Sequence, residues 1–286
     1  MSDPDEHGAA TRSVATRGVA ADLSAKLSTH ILGKPLHFFP TIDSTNIHAA
    51  GLAREGAPEG TTVIADSQSG GKGRLGRSWV SPPGVNLYLS VLLRPPVSTA
   101  VAPQLNLLAA IAVADAIRET TPLSPAIKWP NDVLVAERKV CGILAEMQTD
   151  TGGLQAVILG IGVNINAPLS AFPEELHDKA SSLLIASGQT TDRALFTASL
   201  LTHLEKFYLL WLQEGFSTLR ARWERYAAHI LGKRISVAVP EGTVVGMVLG
   251  LDTDGGLLVR GDGGEQHRLL VGDVTVLGGY NRGEAR

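Results

Sequence analysis

Ser67 to Trp79 reads S-Q-S-G-G-K-G-R-L-G-R-S-W. Gly70, Gly71, Gly73 and Gly76 are interleaved with Lys72, Arg74 and Arg77, and Trp79 closes the run. Glycine lets a backbone approach a ligand closely, and successive N–H groups in such a loop can form a nest for an anion. The cations add attraction and, for arginine, a two-pronged fork that suits phosphate or carboxylate. The chemistry suited to this stretch is the enclosure of an anionic ligand. Gly71 to Gly76 also spells G-x-G-x-x-G, but a dinucleotide fingerprint needs a helix straight after it. Ser81-Pro82-Pro83-Gly84 forbids that helix, and no G-K-[ST] is present for a P-loop. A surface loop with incidental charge is the other reading of the same letters.

Four further places carry reactive groups. Asp43-Ser44-Thr45-Asn46 sets hydroxyls and an amide at a helix start. These are N-cap residues, so simple capping and ligand binding are both open. Lys128-Trp129-Pro130-Asn131-Asp132 is good turn chemistry, yet it gathers a cation, an indole, an amide and a carboxylate. Lys139 opens an apolar strand in which Gly142 hints at close approach of a ligand or another backbone. Cys141, beside it, reads as a small buried hydrophobe. Leu154 to Asn166 is an apolar strand broken by Gly160 and Gly162, with Asn164 near its end. Each strand glycine costs roughly 0.5–1 kcal/mol. A twist or bulge, or something flat lying against the strand, accounts for them.

The elements that must position these groups follow from periodicity. Strands are expected at Leu36 to Phe39, Thr61 to Ala65, Val85 to Leu93, on both sides of the Pro-Asn-Asp turn, at Lys139 to Glu146 and at Leu154 to Asn166. Helices are expected at Ala20 to Leu32, from Asn46 to Arg54, at Gln104 to Glu119 with Asn106 on its polar side, and at Pro173 to Lys179. Two more follow at Asp192 to Glu214 and Phe216 to His229. From Lys233 short strands alternate with Gly/Asp turns: Arg234 to Val239, Val244 to Leu251, Gly256 to Arg260, Gln266 to Leu270 and Val274 to Leu277. That pattern reads as a small β-barrel. The whole is an α+β fold: a mixed, largely antiparallel sheet packed with helices on one face, then the barrel. The expected organisation is a partly disordered tail over residues 1–30, a main domain over 31–230 and the barrel over 231–286.

Composition narrows the class. The 286 residues carry a net charge of −3, so there is no overall basic excess of the nucleic-acid-binding kind. One cysteine excludes an internal disulfide and a cysteine-rich metal site. The eight histidines show neither H-x-x-x-H nor H-E-x-x-H spacing, so no histidine-held metal is expected. No apolar run is long enough to span a bilayer, and the N-terminus has no secretory h-region. A soluble cytoplasmic protein is expected.

Taken together, the motifs resemble those of biotin–protein ligases. Ser44-Thr45-Asn46, Gln68 with G-K-G-R-L-G-R, K-W-P-N-D, K-V-C-G-I-L-A-E from Lys139 to Glu146, G-I-G-V-N from Gly160 to Asn164, and R-W-E from Arg222 to Glu224 stand in family order. The resemblance covers roughly residues 36 to 280. It is similar to the bacterial type without a regulatory DNA-binding domain, since the residues ahead of Leu36 leave no room for a three-helix unit. The resemblance implies the class II synthetase-like biotin/lipoate ligase fold, an SH3-like C-terminal barrel, and ATP, biotin and Mg²⁺ as the small molecules. It implies synthesis of biotinyl-AMP, then transfer of biotin to a lysine of the biotin carboxyl carrier protein of acetyl-CoA carboxylase. No DNA or membrane partner is expected, and pairing of two copies through a sheet edge is allowed by the resemblance alone.

Residue by residue, the resemblance places Ser44, Thr45, Asn46, Gln68, Gly71, Lys72, Gly73, Arg74, Lys139 and Gly142 at biotin. It places Arg77, Trp79, Lys128, Asn131 and Asn164 at ATP, with Trp79 on the adenine. Lys139, Arg74 and Asp132 are the expected catalytic groups, Asp132 also assisting Mg²⁺ or the incoming amine. One departure stands out: the family loop usually begins G-R-G-R, and here Lys72 replaces the first arginine. Lysine lacks the arginine fork. A lipoate–protein ligase or octanoyl transferase is the nearest rival, because it looks similar in catalytic fold. A DNA-binding repressor and a non-catalytic binding protein are rivals of other classes.

Overall fold

The computed structural model describes residues 22–240 and 242–277. The first 21 residues of the tail expected over residues 1–30, and the last residues of the expected barrel domain, lie outside the described residues. Seven strands form the main sheet: β1 (Leu36–Phe39), β2 (Thr62–Ala65), β3 (Leu87–Leu93), β4 (Pro125–Lys128), β5 (Asp132–Val135), β6 (Arg138–Asp150) and β7 (Gly153–Val163). Their spatial order is β1-β2-β3-β7-β6-β5-β4. The β1–β2 pair is parallel and every other neighbouring pair is antiparallel. The helices are α1 (Thr45–Arg54), α2 (Gln104–Thr120), α3 (Leu183–Ser187), α4 (Arg193–Glu214) and α5 (Ser217–Tyr226).

Side chains alternate across a strand, and here the alternation separates two cores. Val91 and Leu93 of β3, and Val157, Leu159 and Ile161 of β7, join the large core beneath α2 and α4. Leu92, Ile158 and Ala156 face the other way and meet Ala49 and Ala53 of α1 together with Val63. Helices therefore lie on both faces, not on one face as the sequence pattern suggests. Among the described residues the second face receives one helix, the ten residues of α1, which leaves part of it without a helix over it. The uncovered part carries Tyr88 and Ser90 of β3, Gly160 and Gly162 of β7, and Gly142 and Leu144 of β6, which are cross-strand neighbours.

Helix α2 is buried nearly all round, as a helix apolar on every side must be. Its Asp115 accepts hydrogen bonds from the Arg222 guanidinium (2.7 and 3.0 Å) and the Tyr226 hydroxyl (2.5 Å). The Arg-Trp-Glu run is thus structural: Arg222 grips α2 and Trp223 is fully buried. Asn106 is not merely on a polar side, because its Oδ1 accepts the Ala145 backbone N–H of β6 at 3.1 Å.

Only residues 22–26 of the expected Ala20 to Leu32 helix are helical among the described residues. The backbone N–H groups of His30, Ile31 and Leu32 all donate to the buried Glu205 carboxylate of α4, at 2.7–2.8 Å. Those donors cannot also serve a helix. The expected Pro173 to Lys179 helix shortens to a 3-10 turn at Glu174–Leu176, and α3 has no counterpart among the expected elements.

The C-terminal part is a second, antiparallel sheet of β8 (Arg234–Val239), β9 (Gly242–Leu251), β10 (Leu257–Gly261), β11 (Gln266–Leu269) and β12 (Asp273–Val276), in the order β11-β10-β9-β8-β12. It is the expected SH3-like unit. Its inward residues Val237, Val248, Leu257 and Val259 join the same core as the helix layer. The Trp129 indole, 2% exposed, donates to the Gly255 carbonyl at 3.3 Å. Gln104 of α2 donates to the Asp254 carbonyl at 3.0 Å. The barrel is fixed to the main sheet by the same turn that was singled out for chemistry.

Candidate active site

The uncovered patch of the sheet is the floor of a cavity. Its walls are the start of α1, the glycine loop and the K-W-P-N-D turn. Ser44 occupies the N-cap position of α1, but its side chain makes no cap bond. The Thr45 N–H and hydroxyl both donate instead to Gln68 Oε1, at 2.9 and 3.1 Å. Gln68 Nε2 donates to Ser81 at 3.0 Å, and Ser81 to the Trp79 carbonyl at 3.0 Å. The simple capping reading of Asp43 to Asn46 fails at Ser44; the segment is tied to the loop.

The loop is a folded excursion rather than an open nest. Trp79 N–H donates to the Gly71 carbonyl at 2.8 Å, and Gly73 N–H to the Arg77 carbonyl at 2.7 Å. A Cβ on Gly71 would stand 2.5 Å from the Trp79 carbonyl oxygen. Gly71 is therefore where the two arms of the loop close on each other and, alone of the ten biotin candidates, it does not line the cavity. The tip turns through Leu75 and Gly76, both at positive φ.

The floor glycines have the reason the sequence left open. A Cβ on Gly162 would lie 2.6 Å from Trp79 Nε1, and one on Gly142 2.9 Å from the same ring. A Cβ on Gly160 would lie 2.1 Å from Asn46 Oδ1. The indole and the amide rest directly on the bare backbone.

Lys139 reaches this floor because of a bulge. Leu134 pairs with Lys139 and Val133 with Cys141, which leaves Val140 as an extra residue in β6. Without it, residues 139 and 142 would face opposite sides of the sheet. With it, Val140 and Cys141 both enter the core, and Lys139 Nζ comes within 3.1 Å of the Gly142 Cβ position. Burial pushes the Cys141 thiol above its usual range, so it is the hydrophobe expected. The Lys139 ammonium pairs with Asp132 at 2.7 Å and stands 5.3 Å from the centre of the Trp79 ring.

Arg74 donates to Asn131 Oδ1 at 2.9 Å and to the Gly272 carbonyl at 3.3 Å. Burial lowers its pKa, and the nearby charges of Asp132 and Asp273 oppose that. Asn131 also donates to the Ile143 carbonyl at 2.8 Å, pinning the turn to β6. Beyond Arg74 the cavity opens into a wider cleft. Arg77, Trp79, Lys128, Asn131 and Asn164 all line it, with Asp132 and Asp273. Asn164 is 3% exposed, and its amide nitrogen donates to the Ser181 carbonyl at 3.0 Å.

Sequence reasoning missed Ser90, Glu146 and Asp273. The Ser90 hydroxyl is fully buried beneath Thr45 and Asn46, at 2.8 and 2.6 Å. A serine inside an otherwise apolar strand was its only sequence signal. Asp273 pairs with Arg77 at 2.8 Å and Lys128 at 3.7 Å. Nothing in the barrel sequence distinguishes it from other turn aspartates.

A compact pocket that opens into a wider cleft edged by Arg74, Arg77, Lys128 and Lys139 suits a ligase-type site for two substrates. The comparisons specify it further. The model described as the Biotin/lipoate A/B protein ligase family matches residues 38–164, and that of the Biotin protein ligase C terminal domain matches residues 230–277. The bifunctional ligase/repressor BirA of Bacillus subtilis is 40% identical over 250 residues, which span 87% of this chain and 76% of that protein. The biotin–[acetyl-CoA-carboxylase] ligase of Paracoccus denitrificans is 36% identical, over 78% of this chain and 93% of that one. The structure of the Aquifex aeolicus biotin protein ligase in complex with biotin and ATP superposes with a TM-score of 0.74 at 32% identity, covering 85% of this chain and 98% of that chain. This chain belongs to the biotin–protein ligase family.

Proposed function

We propose that the protein joins biotin to ATP as biotinyl-AMP and passes the biotinyl group to a lysine of a biotin carboxyl carrier protein, that of acetyl-CoA carboxylase. The observation that carries this reading is the adjacency of the two compartments. Ser44, Thr45, Asn46, Gln68, Lys72, Gly73, Arg74, Lys139 and Gly142 line the inner cavity, and the five nucleotide candidates line the cleft it opens into. Lys139 and Arg74 border both, where a carboxylate and an α-phosphate would meet.

In the first step a biotin carboxylate oxygen attacks the α-phosphorus of ATP and pyrophosphate leaves. Two anions must approach, so Lys139 and Arg74 neutralise charge at the junction, while Arg77 and Lys128 face the departing phosphates. In the second step the carrier lysine amine attacks the acyl carbon and AMP leaves. Asp132, held by Lys139 at 2.7 Å, is placed to take the amine proton. Among the described residues no cluster of three His, Cys, Asp or Glu side chains could cage a metal. Mg²⁺ commonly binds through one or two carboxylates with substrate phosphates and waters, so the donor set fits an ion carried by ATP, with Asp132 as its protein contact. When bound, Mg²⁺ neutralises the phosphate oxygens. The loop from Gly70 to Trp79 serves as the lid that keeps water from the mixed anhydride.

Residues 31–230 constitute the catalytic domain and residues from 231 onward the barrel domain in this reading, and the protein works in the cytoplasm. No helix among the described residues is long and apolar enough to cross a membrane. The test is mass spectrometry of a carrier domain after incubation with protein, ATP, Mg²⁺ and biotin, with lipoate in a parallel reaction. A biotin-sized gain on one lysine, absent without ATP, is the expected result. A gain with lipoate alone overturns the reading. Native mass spectrometry of the same preparation reads whether two copies associate.

A further inference from the structure

Glu146 lies at the rim of the inner cavity, at the far end of the K-V-C-G-I-L-A-E run. Its two carboxylate oxygens face two different parts of the site. Oε2 accepts from Asn46 Nδ2 at 2.6 Å, and Oε1 stands 4.0 Å from the Lys72 ammonium. A carboxylate only accepts hydrogen bonds. The amide nitrogen of Asn46 must therefore face Glu146, and its oxygen must face Ser90. The Ser90 hydroxyl has one proton, and the 2.6 Å contact to Asn46 Oδ1 takes it. The Thr45 hydroxyl oxygen stands 2.8 Å from the same Ser90 hydroxyl, and the Thr45 proton serves Gln68 Oε1. The donor and acceptor sense of the Asn46–Ser90 contact is thus set chiefly by a charge outside it, with a longer 3.4 Å contact from Asn46 Nδ2 to the Leu144 carbonyl acting the same way.

We propose that Glu146 is a positioning residue for biotin: it fixes the amide orientation of Asn46 over Gly160 and holds Lys72, the first cation of the loop, above the same pocket. This rests on the biotin reading of the inner cavity. It also gives Lys72 a physical role in place of the usual arginine. A compact ammonium needs one carboxylate opposite it, not a planar fork.

The test compares Glu146→Gln with Gln68→Ala, a change inside the pocket itself. The amide introduced by Glu146→Gln can donate as well as accept, so only the longer 3.4 Å contact to the Leu144 carbonyl still favours the parent orientation of Asn46, and the variant leaves Lys72 without a counter-charge. Glu146→Gln is expected to raise KM for biotin at least fivefold, with kcat for adenylation and KM for ATP within twofold of the parent. Trypsin cleavage after Arg74 in the ligand-free protein is expected to quicken at least threefold. Glu146→Asp, too short to reach Asn46, is expected to act in the same direction if the glutamine variant folds poorly. Unchanged biotin KM in the glutamate variants, with a raised KM in Gln68→Ala, overturns the role of Glu146 and leaves the pocket reading intact. Unchanged KM in all of them overturns both. A lower melting temperature with unchanged KM shows a purely structural glutamate and also overturns the proposal.

Discussion

The guanidinium of Arg77, on the glycine loop, lies 2.8 Å from the carboxylate of Asp273, the first residue of β12 in the barrel. Lys128 approaches the other carboxylate oxygen at 3.7 Å. Burial works against the Asp273 charge, but the Arg77 hydrogen bond and the charges of Lys128, Arg77 and Arg74 outweigh it and hold its pKa below the usual carboxylate range. The barrel thus arranges two of the cations that line the wider cleft. Asp273→Ala is expected to raise KM for ATP about fivefold, equivalent to about 1 kcal/mol for a partly exposed ion pair, with biotin affinity unchanged. Steady-state pyrophosphate release checks it. The sign with pH follows from the depressed pKa: the contact is fully formed at neutral pH and is lost as pH falls through the folded-state pKa, below the ordinary carboxylate value.

The Lys139 ammonium meets both Asp132 and the indole over the floor glycines. In the proposed reaction, Lys139→Ala removes the charge at the junction where the two anions would meet. Adenylation is expected to slow on the order of 10²–10³-fold, by analogy with the loss of one transition-state donor. Single-turnover formation of biotinyl-AMP measures this directly. A loss below tenfold contradicts its catalytic role.

Gly160→Ala puts a methyl group where Asn46 Oδ1 now lies. Overpacking of this kind costs about 1–3 kcal/mol. Because the displaced amide belongs to the pocket, biotin affinity should fall together with stability. Calorimetric titration and thermal unfolding of the same preparation read both. Normal biotin affinity in a destabilised variant would show that Asn46 does not serve the ligand.

Glu205 accepts three backbone N–H groups from residues 30–32. Burial pushes its pKa up, yet the three donors prevail and leave it depressed. Glu205→Gln is expected to destabilise the protein by about 1.5–3 kcal/mol, the range for hydrogen bonds to a charged group. The parent's advantage is present at neutral pH and disappears as pH falls through the folded-state carboxylate pKa. Denaturant titrations of both proteins at pH 7 and pH 4 separate the two behaviours.

The strands were legible because short apolar runs or period-two patterns bounded by turn residues announce them: Leu36–Phe39, a run half-buried throughout, and Arg234–Val239, with alternating burial, fall where the letters put them. The residues that line the cavity and cleft were legible because glycine, lysine and asparagine in apolar strands are locally unfavourable and ask for a cause. Three things were not legible. The bulge at Val140 is invisible, since valine and cysteine both read as ordinary strand residues and only pairing with β5 shows which one is extra. The second helical face was missed because α1 buries small alanines, which mark no strong apolar stripe. Asp273 is a long-range partner, and spacing in the chain carries no signal for a contact 196 residues away.

Strand β7 carries two instructions on alternate residues. Val157, Leu159 and Ile161 belong to the core, while Gly160 and Gly162 belong to the pocket. A slip of one residue would carry isoleucine and leucine into the pocket and bare glycine into the core at the same moment. Misregistered molecules therefore lose their hydrophobic anchor together with their ligand site. For this strand, whatever selects against misfolding also selects against an inactive enzyme, so a single check on stability polices both.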